Sequence, residues 1–367
     1  MTSKEIIFEP LDTLFFRDGR PYNKDEATQT DVASRFPPSP LTLVGAVRAA
    51  YARAMGWRVG DEPDWPAPIK NVLGDRAELN GLSFTGPFVF RSETALFPAP
   101  ALLLREGGKP GAKEEVVARL RPGAARHCDL GNQVRLAEPE TNAVGLKPLR
   151  DWITPKGLAE VLRGDIPDRA ELVPESDLWG IESRVGISRD TDTRTTRAAA
   201  MYSAKHIRLS AGVNLRMIGS GLPDELDPNV MNAPQPVGGE SRLCWLTVRN
   251  ARNILPEPPL ISGEGGKVNY AVFVITPAHL PRLEPGQHIN QLPGHLVSAC
   301  ISRPQMWGGW SSTDRGPQPL RPLISPGSVL FMDADTSDVE LVRQTHGTQI
   351  GERTQWGFGL VALGSWN

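Results

Sequence analysis

The first 56 residues follow an order that restricts what this chain can fold into. Ile6-Ile7-Phe8 predicts a first strand. A long polar stretch follows, and the turn Phe36-Pro37-Pro38-Ser39-Pro40 ends it. Beyond the turn, apolar or small side chains recur at helical spacing, at Leu43, Val44, Val47, Ala50, Tyr51 and Ala54. The order of strand, polar loop, proline stop and helix predicts a loop held at the surface between two packed elements.

The limits of the helix can be read from its flanking residues. Ser39 suits the N-cap, Pro40 the first helical position and Gly56 the C-terminal stop. The polar stretch before it begins near Arg17 and ends near Arg35. Long loops in compact domains are usually functional or disordered. The stretch is therefore either a binding loop or a mobile surface loop.

Size and charge limit the classes of protein that fit. At roughly 100–200 residues per domain, 367 residues predict two domains. The net charge is −2, so any nucleic-acid surface must come from local patches. Three widely spaced cysteines exclude a disulfide framework and a CxxC zinc site, as in proteins of a reducing cytosol. Without a signal-peptide core or a run of 18 apolar residues, we expect a cytoplasmic protein with no membrane partner.

The chain divides where its composition changes. Residues 219–237 are rich in Pro, Asp and Asn, which predicts one domain over 1–220 and a second over 236–367. Residues 97–177 are irregular and are interpreted as an insertion in the first domain, with a short helix over Pro155–Arg163. Strands in the second half are predicted at Leu243–Val248, Tyr270–Ile275, Ser328–Met332 and Gly357–Leu363. Each half is compatible with a ferredoxin-like β-α-β-β-α-β unit, which gives an α+β fold.

Common catalytic motifs are absent from the sequence. There is no GxSxG, HExxH or CxxC, and Gly263–Lys267 lacks the first glycine and the hydroxyl residue of a P-loop. His127-Cys128-Asp129 is interpreted as an ordinary loop, because geometry and not residue type makes a catalytic triad. The six histidines show no metal-ligand spacing, so we expect no metal and no cofactor. Metal-independent RNA cleavage stays possible, since it needs only a His, Lys or Tyr near a 2′-OH.

An arginine-rich segment, Ser183–Arg197, has the composition of a nucleic-acid contact. It is nearly devoid of apolar residues after Ile187 and contains Arg184, Arg189, Arg194 and Arg197. Such a segment suits a hairpin whose Arg and Thr side chains contact phosphate or 2′-OH groups. Alternatively, it is a solvated loop in which Asp190 and Asp192 pair with the arginines.

Two glycine motifs precede strands. Gly238 and Gly239 would let the backbone approach a ligand or another chain closely, with Arg242 reaching a phosphate. The alternative is a simple turn with a bulge. Gly357 and Gly359 flank Phe358 and would leave amide groups facing a phosphate backbone, although a GxG alone is a weak signal.

Two aromatic side chains flank a further glycine pair. Trp307 and Trp310 enclose Gly308-Gly309 and could stack on bases. Equally, they could fix a loop to the core or to a partner protein.

Taken in order, these segments resemble one family, the third Cmr-series RAMP subunit of type III-B CRISPR effector complexes. The opening match is the most specific, and the weakest region is 97–177. The matching residues are Glu9–Pro21, Phe36–Pro40, Val185–Asp190, Met201-Tyr202, Gly238–Arg242, Gly308–Trp310, Ser325–Val329 and Gly357–Leu360.

The resemblance implies two ferredoxin-like (RRM-like) RAMP domains with long insertions and no catalytic activity. It implies a subunit that binds the 5′ repeat-derived tag of the crRNA in antiviral defence. Its partners would be the crRNA, the polymerase-like large Cmr subunit and the backbone Cmr subunit. The segment 184–197 would be a hairpin thumb that displaces a base of the guide. The residues assigned to RNA are Arg17, Arg35, Ser39, Arg48, Arg184, Arg189, Arg194, Arg197, Gly238, Gly239, Arg242, Trp307, Trp310, Gly357, Phe358 and Gly359.

Three alternatives stay open at this point. Arg48 lies on the predicted helix and could simply be a solvent-exposed charge. The chain could be a metal-independent endoribonuclease that matures CRISPR transcripts, with His127, His206 or Tyr22 as its base. It could also be a scaffold that contacts only protein.

Overall fold

The computed structural model describes residues 3–17, 31–58, 64–75, 78–106, 116–189, 191–224, 233–263, 265–311 and 316–366. Within them the chain is a strand-rich mixture of α and β structure. Its helices are α1 Pro40–Ala54, α2 Ala67–Leu73, α3 Pro155–Arg163 and α4 Val339–Gln344. Its strands are β1 Lys4–Pro10, β2 Asp31–Val32, β3 Ser83–Arg91, β4 Thr94–Pro98, β5 Leu103–Glu106, β6 Val116–Cys128, β7 Gly131–Pro139, β8 Leu146–Pro148, β9 Trp152–Ile153, β10 Leu172–Val173, β11 Trp179–Arg189, β12 Thr196–Leu209, β13 Val213–Ser220, β14 Gln235–Pro236, β15 Leu243–Asn250, β16 Lys267–Val274, β17 His295–Cys300, β18 Gln305–Ser311, β19 Gly316–Leu323, β20 Val329–Asp335, β21 Trp356–Gly357 and β22 Val361–Ser365.

Two compact units are built from alternating stretches of the chain. The first contains residues 1–87, 178–251 and 306–322, and the second contains 88–177, 252–305 and 323–367. This differs from the predicted sequential division at 219–237. It also places the residues interpreted as an insertion of the first domain, 97–177, in the second unit.

In the first unit, β1 is a central strand. It pairs antiparallel with β13, with Ile6 opposite Met217, and antiparallel with β15, with Ile6 opposite Val248. β13 also pairs with β3, and β15 with β14. The strand predicted at Leu243–Val248 is therefore confirmed, but it completes the sheet that begins at Lys4 rather than opening a second domain.

The predicted first helix is confirmed as α1. Its stripe at Val44, Val47, Ala50 and Tyr51 is buried, as the 3.6-residue spacing requires. Ser39 occupies the N-cap position before Pro40, but its hydroxyl makes no cap hydrogen bond among the described residues. The last turn is tied to β14 because Arg53 Nε donates to Gln235 Oε1 over 2.9 Å.

The second unit contains an antiparallel sheet in the order β17-β20-β16-β22. Val272, Leu330 and Leu363 lie in its buried core, and Val342 of α4 belongs to the same cluster. Residues 97–177, which the sequence suggested to be irregular, form a further sheet in the order β7-β6-β5-β8.

The predicted helix over Pro155–Arg163 is confirmed as α3. Thr154 caps its N-terminus by accepting from the Gly157 amide over 3.2 Å. Gly164 ends the helix in the left-handed conformation.

Candidate nucleic-acid interface

Residues 11–17, which follow β1, join three of the segments that the sequence singled out. Leu14 exchanges two backbone hydrogen bonds of 2.8 Å with Ile207 of β12. The Phe15 carbonyl accepts from the Gly239 amide over 2.8 Å. Phe16 accepts from the amide of Arg35 over 2.9 Å. The hairpin β11–β12, the glycine turn before β15 and the far end of the polar loop thus meet along one stretch of chain, which we call the 11–17 segment.

The ends of the polar loop are closed by this segment. Arg17 forms an antiparallel bridge with Ser34, and the Ser34 hydroxyl accepts from the Phe16 amide over 3.0 Å. Arg17 is exposed, whereas Arg35 is half-buried and its Nη1 donates to the Met306 carbonyl over 3.0 Å. Both predicted arginines therefore belong to the first unit, at the base of the loop.

A group of charged side chains, which we call the Asp12 cluster, lies at the start of the 11–17 segment. Its members are Asp12, Glu182, Arg184, Arg208 and Arg242. Arg184 Nη2 lies 2.7 Å from Asp12 Oδ2, and Arg208 Nη2 lies 2.9 Å from Asp12 Oδ1. Arg242 Nη1 approaches Asp12 Oδ2 at 3.7 Å.

The two carboxylates of the Asp12 cluster share two of its arginines. Glu182 Oε1 accepts from Arg184 Nε over 2.9 Å, and Glu182 Oε2 accepts from Arg208 Nε over 2.6 Å. Hydrogen bonds from Arg184 and then Arg208 hold the pKa of Asp12 well below its usual range. The pKa of Glu182 is also lowered, chiefly by Arg208. Both acids are therefore ionised at neutral pH, and three cations face two anions at the base of the hairpin.

A buried histidine supports the neighbouring turn. His206 is completely buried, and its Nδ1 lies 3.0 Å from Thr13 Oγ1 in the 11–17 segment. Its Nε2 lies 2.9 Å from Glu240 Oε2. Burial lowers the pKa of His206, against the opposing effect of the Glu240 charge. Glu240 and the residue after it, Ser241, both have positive φ, an unusual conformation that such contacts stabilise.

The close approach allowed by the paired glycines occurs inside the chain. A Cβ added at Gly238 would lie 2.5 Å from the Phe15 carbonyl oxygen, and one at Gly239 would lie 2.9 Å from Phe15 Cδ1. The Gly239 amide donates to Phe15. The close approach to Phe15 favours the alternative, a turn that packs against the chain itself, over an approach to a ligand. Arg242 is half-buried and joins the Asp12 cluster.

The C-terminal glycine motif is also occupied internally. The Gly357 amide donates to Thr354 and the Gly359 amide donates to Pro277, each over 2.9 Å. Phe358 between them is buried. The prediction that the amides of Gly357 and Gly359 face a phosphate is wrong, because both are already hydrogen bonded.

Three further residues assigned to RNA face inward. Arg48 is 6% exposed, and its Nε donates to the Leu73 carbonyl over 2.9 Å. Both interpretations of Arg48 from the sequence, a phosphate contact and a solvent-exposed charge, are therefore wrong. Burial lowers the pKa of Arg48 to about 10. Trp307 is buried, which favours packing over base stacking. The hydroxyl of Ser39 is buried as well.

The arginine-rich segment forms the predicted hairpin. β11 and β12 pair antiparallel from Trp179 opposite Leu209 to Arg189 opposite Thr196. Arg194 is exposed at the turn. The side chains of Arg189, Arg197 and Trp310 lie outside the described residues, as do residues 18–30, which include Tyr22.

The candidate catalytic histidines occupy unlike positions. His206 is buried and cannot reach a substrate in this conformation. His127 is exposed near the end of β6 and hydrogen bonds Asn132. Within the described part of the chain, no group of three or more His, Cys, Asp and Glu residues is placed to hold a metal ion. No helix in that part is long and apolar enough to cross a membrane.

Sequence reasoning missed Asp12 and Arg208 as members of the charged cluster. Asp12 follows β1, and Arg208 lies near the end of β12, so only the pairing of Leu14 with Ile207 brings them together. Arg48 was detectable, because it falls between Val47 and Tyr51 in the apolar stripe of α1.

A comparison with known proteins finds a family that matches nearly the whole chain. The profile of the family described as CRISPR-associated protein (Cas_Cmr3) matches residues 6–366. No curated protein sequence matches the chain.

Solved structures show a distant likeness. A chain in the cryo-EM structure of the type III-B Cmr-beta complex bound to cognate target RNA and AMPPnP is 15% identical, with a TM-score of 0.49 over 93% of this chain and 88% of that one. A chain of the same complex bound to cognate target RNA is 14% identical, with a TM-score of 0.48 over 89% and 86%. A chain of the Csm3–Csm4 subcomplex of a type III-A complex is 10% identical, with a TM-score of 0.40 over 99% of both.

The family match extends from β1 to Trp366, and therefore includes the 11–17 segment, the hairpin and both glycine motifs. It agrees with the resemblance found along the sequence. The chain belongs to the Cas_Cmr3 family of CRISPR-associated proteins.

Proposed function

We propose that this chain is a non-catalytic crRNA-binding subunit that holds the 5′ repeat-derived tag. In the same complex it bridges the polymerase-like large subunit to the backbone subunit. The observation that carries the proposal is the 11–17 segment. It brings Arg17 and Arg35, the glycine turn with Arg242, and the hairpin with Arg184 into one part of the first unit. Clustered guanidinium groups on an otherwise slightly acidic chain suit contact with RNA phosphates.

The strand orders support two ferredoxin-like domains. In a β-α-β-β-α-β unit the two crossovers interleave, so the strands lie in the order fourth, first, third, second. The first unit has the order β15-β1-β13-β3, and the second has β22-β16-β20-β17. Helix α1 lies between β1 and β3 in sequence, and α4 between β20 and β22. Both orders match this pattern, with the long stretch between β3 and β13 contributing to the second unit.

The hairpin β11–β12 is proposed as the thumb that contacts the guide. Three residues on one face of β11 are apolar and exposed, Ile181 by 67%, Val185 by 68% and Ile187 by 51%, and the exposed Ser183 lies between the first two. An apolar strip beside arginines suits contact with an unstacked base and its phosphates.

A triple variant tests the RNA contact of the hairpin. Assembled complexes carrying Arg189→Ala, Arg194→Ala and Arg197→Ala should bind a crRNA tag more weakly. Three lost phosphate contacts should reduce the log–log salt slope by about 2. The control replaces three exposed arginines of the second unit, Arg121, Arg126 and Arg150, by Ala. Equal slopes for the two triple variants would show that the hairpin arginines do not contact the tag.

The non-catalytic assignment has its own test. Of the candidate bases, His206 is enclosed between Thr13 and Glu240 and is fully buried. Incubation of the purified chain with repeat RNA, with and without EDTA, should leave the RNA intact. Cleavage that disappears in His127→Ala would instead establish the endoribonuclease.

Crosslinking separates tag binding from a purely protein-binding scaffold. A crRNA with 4-thiouridine in its tag should crosslink to this subunit within the assembled complex, with adducts on peptides of the first unit. Omission of the polymerase-like or the backbone subunit during assembly then reports whether this chain joins the two. Crosslinks confined to other subunits would support the scaffold.

A further inference from the structure

The Asp12 cluster resembles an anion-binding site in which the bound anion is a carboxylate of the chain itself, that of Asp12. Its arginines come from three places: Arg184 from β11, Arg208 from β12 and Arg242 from the turn before β15. All three face the carboxylate of Asp12, which is 46% exposed. The cluster is therefore open to solvent, and its cations outnumber its acids.

The two acids of the cluster are held differently. Glu182 lies inside β11, opposite His206 of β12, and contacts the Nε atoms of Arg184 and Arg208. Asp12 lies in a bend after β1, outside any strand. If the Asp12 carboxylate moves away, Glu182 still orients both arginines.

We propose that the Asp12 carboxylate is an internal stand-in for an RNA phosphodiester, which displaces it from Arg184, Arg208 and Arg242. This inference rests on the proposed function. A phosphodiester has one negative charge and two non-bridging oxygens, as a carboxylate has one charge and two oxygens. Guanidinium groups bind either one through paired N–H donors. The Asp12 carboxylate is 46% exposed, so a ligand can reach the ion pairs that the exchange would break.

The substitution Asp12→Asn removes the competing charge and keeps the shape of the side chain. The full-length purified chain is titrated into a fluorescein-labelled, unstructured single-stranded RNA at low salt, and anisotropy is measured. We expect Asp12→Asn to bind about 3–10-fold more tightly, the gain from losing one or two exposed ion pairs that compete with the ligand. The gain should disappear when Arg208→Ala or Arg242→Ala is added.

The matched control is Asp224→Asn. Asp224 is an exposed acid of the same unit that pairs with Lys4 and contacts no arginine of the cluster. Its substitution changes the net charge equally, so it measures the general effect of charge, which we expect to stay within about twofold. An equal gain in both variants would overturn the stand-in role.

A measurement on the wild-type chain avoids any folding defect of the variant. The Thr13 amide hydrogen bonds the Asp12 carboxylate. RNA binding should therefore increase hydrogen exchange at Thr13 while it protects the hairpin. Unchanged hydrogen exchange at Thr13 on RNA binding would refute the inference. So would a weaker RNA affinity of both Asp12→Asn and Arg208→Ala. Either result leaves the proposed function intact. Absence of RNA binding by wild type and of tag crosslinks in the complex refutes both.

Discussion

Gly238→Ala tests whether the glycine turn packs against the 11–17 segment. Gly238 has a φ of +78°, in the left-handed region that an alanine occupies at a penalty of roughly 1–2 kcal/mol. Its new methyl group would lie 2.5 Å from the Phe15 carbonyl oxygen and 2.8 Å from Phe16 Cδ1.

Neither neighbour can move easily. The Phe15 carbonyl is fixed by the Gly239 amide at 2.8 Å, and both phenylalanine side chains are buried. Overpacking of this kind costs about 1–3 kcal/mol. With the backbone term, we expect the free energy of unfolding to fall by about 2–5 kcal/mol. The melting temperature should fall by roughly 4–20 °C.

The assay is thermal and urea unfolding of the purified chain, with Gly45→Ala as the control. Gly45 lies on the exposed side of α1, and no heavy atom comes within 4 Å of its added Cβ. Alanine there should stabilise the chain by about 0.5–1 kcal/mol, because glycine is unfavourable inside a helix. If Gly238→Ala keeps wild-type stability and loses only RNA affinity, the glycine serves a ligand, and the packing argument is refuted.

Two further predictions concern buried charges. Glu5→Gln should lower the free energy of unfolding by about 3 kcal/mol, because it leaves the buried Arg216 without the carboxylate that now lies 3.2 Å from its Nη1. The control is Glu9→Gln at an exposed position of the same strand. It should change the free energy of unfolding, measured in urea, by less than about 0.5 kcal/mol. His346 Nδ1 accepts a hydrogen bond from the Leu363 amide, and burial lowers the pKa of His346. Below about pH 6.5 the unfolded chain therefore binds a proton that the folded chain does not. The urea midpoint should therefore fall as pH decreases from 7 to 5.5, and His346→Gln should reduce that fall; a midpoint that rises on acidification would contradict the argument.

Local patterns predicted the elements more reliably than their partners. The stripe from Val44 to Tyr51 predicted α1, and the helix predicted over Pro155–Arg163 is α3 with the same bounds. Strand β15 was predicted as a strand but assigned to the wrong domain, since no local pattern records that it pairs with β1. The division of each unit into alternating stretches of the chain was not predicted for the same reason, because it depends on pairings between strands that are distant in sequence.

The glycine motifs show why the site was harder to predict than the fold. A glycine at positive φ permits close approach of any group, and the sequence does not say whether that group is a ligand or the chain itself. At Gly239 it is Phe15, and at Gly359 it is Pro277. Arg48 was misassigned for a related reason, since a cation in an apolar stripe can donate to buried carbonyls such as that of Leu73.

These internal contacts narrow the chemistry by which the chain would recognise RNA. The amides of Gly239, Gly357 and Gly359 are hydrogen bonded within the chain, so a site built on backbone amides is not available there. The cations at the 11–17 segment that solvent can reach are the guanidinium side chains of the Asp12 cluster and of Arg17. Contacts of guanidinium groups with phosphates release counterions, whereas neutral amides release none. The affinity for RNA bound at this segment should therefore fall steeply as the salt concentration rises.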